Sequence, residues 1–422
     1  MRCKVAGITH NGEGVARIDG KATFVPFGIP GEELEIEIIE DKPRYSRGII
    51  KQLHSPSPDR VNAPCPYYYD CGGCSYQHAA YPRQLVLKQQ VVNDALKRIG
   101  QVDVKAEPVI GMSNPWHYRN KVTWHVGEGN DEKRLGYYLS GSRKHLPIQE
   151  CLLLTPEITE LSQFLNCYLT ITGVNTGKRI IIRQSSLDQK LMLIIEGPVD
   201  EPQLIKLVKG YPGLESVFVY ENNKLTCLYG VPYINQQIGD CRYQVSPLAF
   251  FQVNNEQTKK LYDLIKKAVG NENKKVLDAY CGTGSIAVYI ANQSQEVVGL
   301  EIYSESIKDA KRNAKLNKVH NTEFHQGACE KVINNLKEDF DTIILDPPRS
   351  GCHPELLQKI ADKSIKEIIY VSCNPATLAR DVKILSKLEY EVQWVQPVDM
   401  FAQTGHVESV VLMQNCGTKD KD

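Results

Sequence analysis

The pattern of apolar and polar positions changes character twice along the chain. Over residues 1–55 short runs such as KVAGI, ATFVPF and ELEIEIIE alternate with a period of two. HNGEG, IDGK and FGIPGEE, clusters of turn-forming Gly, Asn and Pro, interrupt them. That spacing predicts about five short strands in a small OB-like β-barrel. The linker HSPSPDRVNAPCP ends that unit, and a cysteine-bearing loop follows in residues 56–245. An amphipathic helix at Gln84–Ile99 follows, with Leu85, Val92, Leu96 and Ile99 on one face. Strand-like runs (RIIIRQ, KLMLIIEG, SVFVYE) then predict a central α+β domain. From residue 246 to 422 the rhythm becomes strand–helix alternation: KKVLDAY, EVVGLE, DTIILDPP and EIIYVSCNP are separated by helical stretches, among them Glu256–Val269 and Ser304–Asn317. Strands this apolar are buried on both faces, so the fold class is α/β, with a C-terminal doubly wound, Rossmann-like parallel sheet.

Composition narrows the function classes. Hydrophobic residues at 42% and charged residues at 24% are ordinary for a folded globular chain. Fifty Lys plus Arg balance fifty Asp plus Glu, so any nucleic-acid surface has to be a local patch. One such patch is DKPRYSRGIIK, where Lys42, Arg44, Arg47 and Lys51 flank Tyr45. Interleaved cations and an aromatic suit RNA, and equally suit a charged edge strand that resists aggregation. WHYRNKVTWHV carries the same two readings: Arg119, Asn120 and Lys121 beside Trp116, Tyr118 and Trp124 form either an RNA grip or a core strand with a solvated face. No apolar run is long enough for a membrane span and the first residues lack a signal peptide's apolar core, so a cytoplasmic protein with no membrane partner is expected.

The chain has 13 cysteines, and Cys65, Cys71 and Cys74 cluster. Thiols in a reducing compartment are not disulfide-prone, so the cluster points to metal.

Four segments carry chemistry. In VLDAYCGTGSIA a strand ends at Asp278–Ala279–Tyr280, turns through Gly282 and Gly284, and enters a helix. Such a turn lets the backbone approach a ligand, and the next strand ends in acidic Glu301, suited to ribose hydroxyls. Dinucleotides and S-adenosylmethionine (AdoMet) both fit this arrangement. ILDPPRSG fixes Asp346 at the carboxyl edge of another strand, with prolines stiffening the loop. In IIYVSCNPATLARD, Cys373 ends a strand before a helix whose N-terminus is expected to lower the thiol's pKa. DMFAQTGHVESVVLM brings His406 and Glu408, a candidate general base, ahead of a last strand.

Together FFQVN, DAYCGTGSIA, LDPPRSG, VSCNPATLARD and DMFAQTGHVE resemble the RNA uracil-C5 methyltransferase family, AdoMet-dependent enzymes that make 5-methyluridine. The N-terminal segment resembles its TRAM domain, so the likeness covers essentially the whole chain. It implies that Gln252, Tyr280, Glu301 and Asp346 line the AdoMet pocket, with Gly282, Gly284 and Ser285 forming its turn. Cys373 is then the nucleophile and Glu408 the base. Cys65, Cys71, Cys74 and the distant Cys151 match the family's [4Fe-4S] site, with tetrahedral zinc as the rival occupant. A TRAM domain with four such cysteines resembles the branch acting on 23S ribosomal RNA; the tRNA T-loop is the alternative substrate, and a non-catalytic RNA-binding protein the alternative of another class. A monomer is expected. Ala402 stands where the family's loop usually has proline, and His353 where an acidic residue is common.

Overall fold

The computed structural model describes residues 1–127, 134–172 and 178–417. Its first sheet has six strands, in the spatial order Arg2–Lys4, Glu33–Asp41, Tyr45–Ser55, Lys21–Val25, Gly14–Ile18 and Gly7–Ile8. Val5, Val25, Leu34 and Ile36 form its core, the inward members of the two-residue alternation. Its basic side is less free than the sequence suggests. Arg47 pairs with Glu13 at 3.2 Å, Lys51 with Glu37 at 2.5 Å and Lys42 with Glu40 at 3.5 Å. Tyr45 packs on Phe24 with ring centroids 5.6 Å apart. The strand partners carry complementary acids, which leaves Arg44 as the one cation of the four outside an ion pair among the described residues.

The helix after the cysteine loop spans Tyr81–Ala95, begun by Pro82 in its first turn. It continues as a wider π turn over Leu96–Gly100. The buried face differs from the expected one: Leu87, Val91, Val92, Ala95 and Leu96 are buried, Leu85 is only half-buried, and Ile99, in the wider turn, is exposed. Lys88 lies on the buried face and is fully enclosed despite its charge.

The central sheet has seven strands, in the order Lys224–Gly230, Leu214–Glu221, Leu191–Glu196, Arg179–Gln184, Lys121–Val126, Leu135–Tyr138 and His145–Pro147. Trp124 is in its core, its indole N–H donating to Ser162 Oγ at 2.9 Å. Asn120 is buried too. These two are structural, which removes them from the RNA grip that WHYRNKVTWHV suggested.

The C-terminal sheet runs Thr322–Gln326, Glu296–Glu301, Lys275–Ala279, Thr342–Leu345, Glu367–Ser372, Glu408–Asn415, Tyr390–Val398. The first five are parallel; the apolar runs of Glu296–Glu301, Lys275–Ala279, Thr342–Leu345 and Glu367–Ser372 are buried as expected, while on the edge strand Thr322–Gln326 only Phe324 is. The last two form an antiparallel hairpin whose second strand inserts beside Glu367–Ser372. Strand order reverses between Lys275–Ala279 and Thr342–Leu345, and the crevice at their carboxyl ends is where such sheets bind ligands. Among the described residues no helix is long and apolar enough to cross a membrane.

Candidate active site

The ligand turn starts at the carboxyl end of Lys275–Ala279. Tyr280 (φ 65°), Gly282 (φ 52°) and Gly284 (φ 72°) are all left-handed, which reverses the chain within five residues. At Gly284 a Cβ would lie 2.8 Å from the Ala310 Cβ, so only glycine fits. Glu301 ends the neighbouring strand, and its two carboxylate oxygens accept from Gly282 N–H at 3.1 Å and Tyr303 N–H at 2.9 Å. This holds the acid rigidly beside the turn. Ser285 opens the helix Ser285–Ile290 and shares a hydrogen bond with the Tyr262 hydroxyl at 2.7 Å. Gln252 is buried, and its carbonyl accepts from the Asn120 side chain at 3.4 Å. Asp278 is buried with one oxygen accepting from Ala287 N–H at 3.1 Å and the other without a partner. Burial holds its carboxyl well above the usual carboxylate range.

Cys373 directly follows Glu367–Ser372, and Glu408 is the first residue of the antiparallel strand beside it. Ser372 is paired with Ser409, so the register carries residue 373 opposite residue 408. An antiparallel strand is what makes this work, since its beginning lies at the edge where the parallel strands end. Asp346, one step past Thr342–Leu345, reaches the same edge. Charge couples the group: Glu408 and Asp346 both act on the Cys373 thiol, and Arg349 opposes them. Burial, then Asp346, push Glu408 up to about 8, and burial pushes Asp346 up to about 7. His406 is lowered to about 4 by burial and nearby cations, so it is neutral near pH 7.

The thiol departs from expectation. Asn374 caps the helix Pro375–Lys387 through its side chain, accepting from Ala376 N–H at 3.0 Å, and the helix N-terminus does follow Cys373. Yet burial and the Glu408 charge push Cys373 up to about 11 rather than down. Desolvation plus two carboxyl groups outweigh a partial helix charge. At rest the group is a thiol.

The four cysteines of the N-terminal half line one cavity of about 310 Å³ with Arg119, Lys121 and Glu150. Gly73 N–H donates to Cys71 Sγ at 3.4 Å. Burial pushes Cys74 up to about 12 and Cys151 to about 11, and nearby thiols add to it. Arg119 Nε is buried without a partner, and burial lowers Lys121 to about 8. Among the described residues no three Cys, His, Asp or Glu groups converge tightly enough to hold a single metal ion.

Comparison with known proteins agrees with this geometry. The family described as tRNA (Uracil-5-)-methyltransferase matches residues 233–416, and the TRAM domain matches residues 1–51. A Bacillus cereus protein named as an uncharacterized RNA methyltransferase is 40% identical, covering 96% of this chain and 94% of its own. A Clostridium acetobutylicum protein of the same description is 38% identical over 96% of this chain and 94% of its own. The crystal structure of Pyrococcus abyssi tRNA (uracil-54, C5)-methyltransferase with S-adenosyl-L-homocysteine superposes with a TM-score of 0.78 at 26% identity. That match covers 98% of this chain and 100% of the archaeal one. The chain belongs to the AdoMet-dependent RNA uracil-C5 methyltransferase family.

Two groups at the edge of this methyltransferase's sheet carry no signal in the sequence. Arg349 reads in LDPPRSG as an ordinary loop cation, yet its charge acts on both Cys373 and Glu408. Asp278 reads as the end of a strand, and only its orphaned buried oxygen marks it. The two departures from the family pattern are accommodated. Ala402 is buried with its carbonyl accepting from the Tyr118 hydroxyl at 3.1 Å, which supplies restraint that a proline would otherwise give. His353 caps the helix Pro354–Asp362 by accepting from Glu355 N–H at 3.4 Å.

Proposed function

We propose that this methyltransferase converts specific uridines of 23S ribosomal RNA to 5-methyluridine through a covalent bond from Cys373 to C6 of the base. The observation that carries the reading is the register that sets a thiol and a carboxyl of raised pKa side by side, with Asp346 at the same edge. C5 of uracil is a poor nucleophile. Addition of the Cys373 sulfur at C6 moves electron density to C5, which then takes the methyl group. The proton on C5 must leave afterwards, and Glu408 is the neighbouring group able to accept it. Loss of that proton restores the double bond and expels the thiolate. Arg349 offsets the negative charge that accumulates beside two carboxyl groups.

AdoMet supplies the methyl group when bound. The orphaned oxygen of Asp278 suits its ammonium, Glu301 suits its ribose, and Gln252, Tyr280, Gly282, Gly284, Ser285 and Asp346 complete the crevice. Because Glu408 must be ionised to accept a proton, raising the pH towards its value of about 8 increases the competent fraction. Ionisation of the Cys373 thiol works in the same direction. Turnover at saturating RNA and AdoMet should therefore climb by about 50-fold or more between pH 6 and pH 8, without a falling limb. A rate that drops over that range would remove Glu408 from the proton-accepting role.

Cys65, Cys71, Cys74 and Cys151 would hold a [4Fe-4S] cluster as a structural element. Four thiols lining one cavity are the donor set of a cubane, and equally of the rival zinc ion. An N–H···S bond and the half-buried Arg119 and Lys121 suit thiolates. Protein purified without oxygen should be brown and contain both iron and acid-labile sulfide. Colourless, folded protein with one zinc per chain would assign the cavity to zinc.

The ribosomal target rests on the TRAM domain standing together with four cysteines. The archaeal structure, whose title names a tRNA substrate, favours the T-loop as the second reading. Mass-spectrometric mapping of 5-methyluridine in ribosomal and transfer RNA from a deletion strain separates them. Loss confined to 23S rRNA supports the first reading, and loss confined to tRNA replaces it with the second.

A further inference from the structure

The segment Asp399–Gly405, which leads into Glu408, is gripped from three directions. Lys88 donates to Asp399 Oδ1 at 2.6 Å and to the Phe401 carbonyl at 3.0 Å. Gln257 donates to the Asp399 carbonyl at 3.0 Å, and Asn254 to that of Met400 at 3.1 Å. Gly405 lies against the backbone of the first sheet's hairpin, where a Cβ would be 2.8 Å from the His10 carbonyl oxygen. Its N–H donates to Ser75 Oγ at 2.9 Å, next to Cys74.

Gln403 sits at the centre of this grip and breaks a local rule. It is left-handed (φ 70°) and 2% exposed, a conformation that glycine or asparagine adopts at lower cost. Its backbone N–H, its carbonyl and its side-chain oxygen are all bonded. Its carbonyl accepts from Ser75 N–H at 3.0 Å and Tyr76 N–H at 2.9 Å. Its N–H donates to Gln84 Oε1 at 3.1 Å, and its side-chain oxygen accepts from Gln84 Nε2 at 2.9 Å. Gln84 is itself buried and also donates to the Ala79 carbonyl at 2.9 Å. A strained backbone persists only where its surroundings over-determine it. A long side chain kept at a position that favours glycine is kept for what that side chain holds.

We propose that the Gln84–Gln403 amide pair, with Ser75, is a positioning clamp that holds Glu408 in line with the C5 proton of the substrate. Neither glutamine touches substrate in this proposal; both act through Glu408, five residues beyond Gln403. The inference rests on Glu408 being the base, and goes beyond it by assigning where its aim comes from. The anchor is the stretch that also carries Cys74, so the wall of the cysteine cavity and the base are joined by one pair of backbone hydrogen bonds.

The test uses the full-length protein and a uridine-containing substrate RNA, with Gln403→Gly as the main variant. Glycine accepts φ 70° without strain and keeps the backbone bonds to Ser75, Tyr76 and Gln84 Oε1, so folding is preserved while the side-chain amide bond is lost. Gln84→Met is the second variant. For both, kcat should fall about 10- to 100-fold, as small misplacements of a reacting group do, with KM for RNA and affinity for AdoMet within about twofold of the parent. A covalent protein–RNA band should accumulate at steady state, because proton removal has become slow relative to methyl transfer. A purely structural pair would change melting temperature and leave no such band. Glu408→Gln is run alongside. If it traps RNA while both glutamine variants turn over normally without a band, the clamp is overturned and the base stands. If Glu408→Gln traps nothing, the base assignment fails and the clamp fails with it.

Discussion

Cys373→Ala should abolish methyl transfer while AdoMet binding persists. The thiol lies at the end of Glu367–Ser372, whereas the ligand turn and Glu301 belong to two other strands. Removing one sulfur leaves Gly282, Gly284, Ser285, Glu301 and Asp278 in place. Without addition at C6, C5 has no means of attacking a methyl group, and a loss of about 10⁴-fold or more is expected, as when other enzymes lose their nucleophile. Calorimetric titration with AdoMet checks the first half, and transfer of labelled methyl to RNA the second. Near-normal turnover would mean that another group attacks C6 or that no adduct forms.

Glu408→Gln should stop the same reaction one step later. Addition and methyl transfer remain open, but the proton on C5 has no acceptor, so the thiolate cannot leave. Turnover should drop by about 10²–10⁴-fold, the usual contribution of a general base. A protein–RNA band that survives a denaturing gel should appear, should require AdoMet, and should vanish in the Cys373→Ala double variant. Lost turnover without the band would place Glu408 before methyl transfer. The same substitution should also stabilise the folded protein. Glu408 is buried and raised from 4.5 to about 8, so folding disfavours its ionised form. The penalty is absent below the unfolded value, grows by about 1.4 kcal/mol per pH unit as pH rises through that window, and levels off above it. The gap in melting temperature between Glu408→Gln and parent should therefore widen from pH 6 to pH 8.

The residues that meet at the sheet's edge were legible because each closes a strand whose apolar run announces it. LDAY, VVGLE, IILD and YVSC end at one edge of a parallel sheet, and chemistry at that edge is expected. The final hairpin was not legible: VESVVLM reads the same whether its strand runs parallel or antiparallel, and only the pairing with Glu367–Ser372 shows which. Long-range charge was hidden too. Arg47 and Lys51 look like part of a free basic stripe until Glu13 and Glu37 are folded beside them. The rise of the Cys373 pKa was hidden as well, since it comes first from burial and then from carboxyl groups 27 and 35 residues away. Gln403 carries no local signal, because nothing in AQTGH marks a left-handed residue held by a helix more than 300 positions earlier.

The antiparallel hairpin makes the enzyme's tolerance of insertions and deletions uneven. Tyr390–Val398 contains a bulge between Val392 and Trp394, upstream of the catalytic edge. A bulge absorbs a change of chain length without passing it along the ladder, so an added residue there is corrected before Val398 meets Glu408. Between Ser409 and Gln414 the pairing with Glu367–Ser372 runs without a break. A single-residue slip in that stretch turns every side chain to the opposite face and carries Glu408 away from Cys373. Length variation among related chains should thus gather on the edge strand and spare its inner neighbour, a pattern that reading frames alone would reveal without any assay.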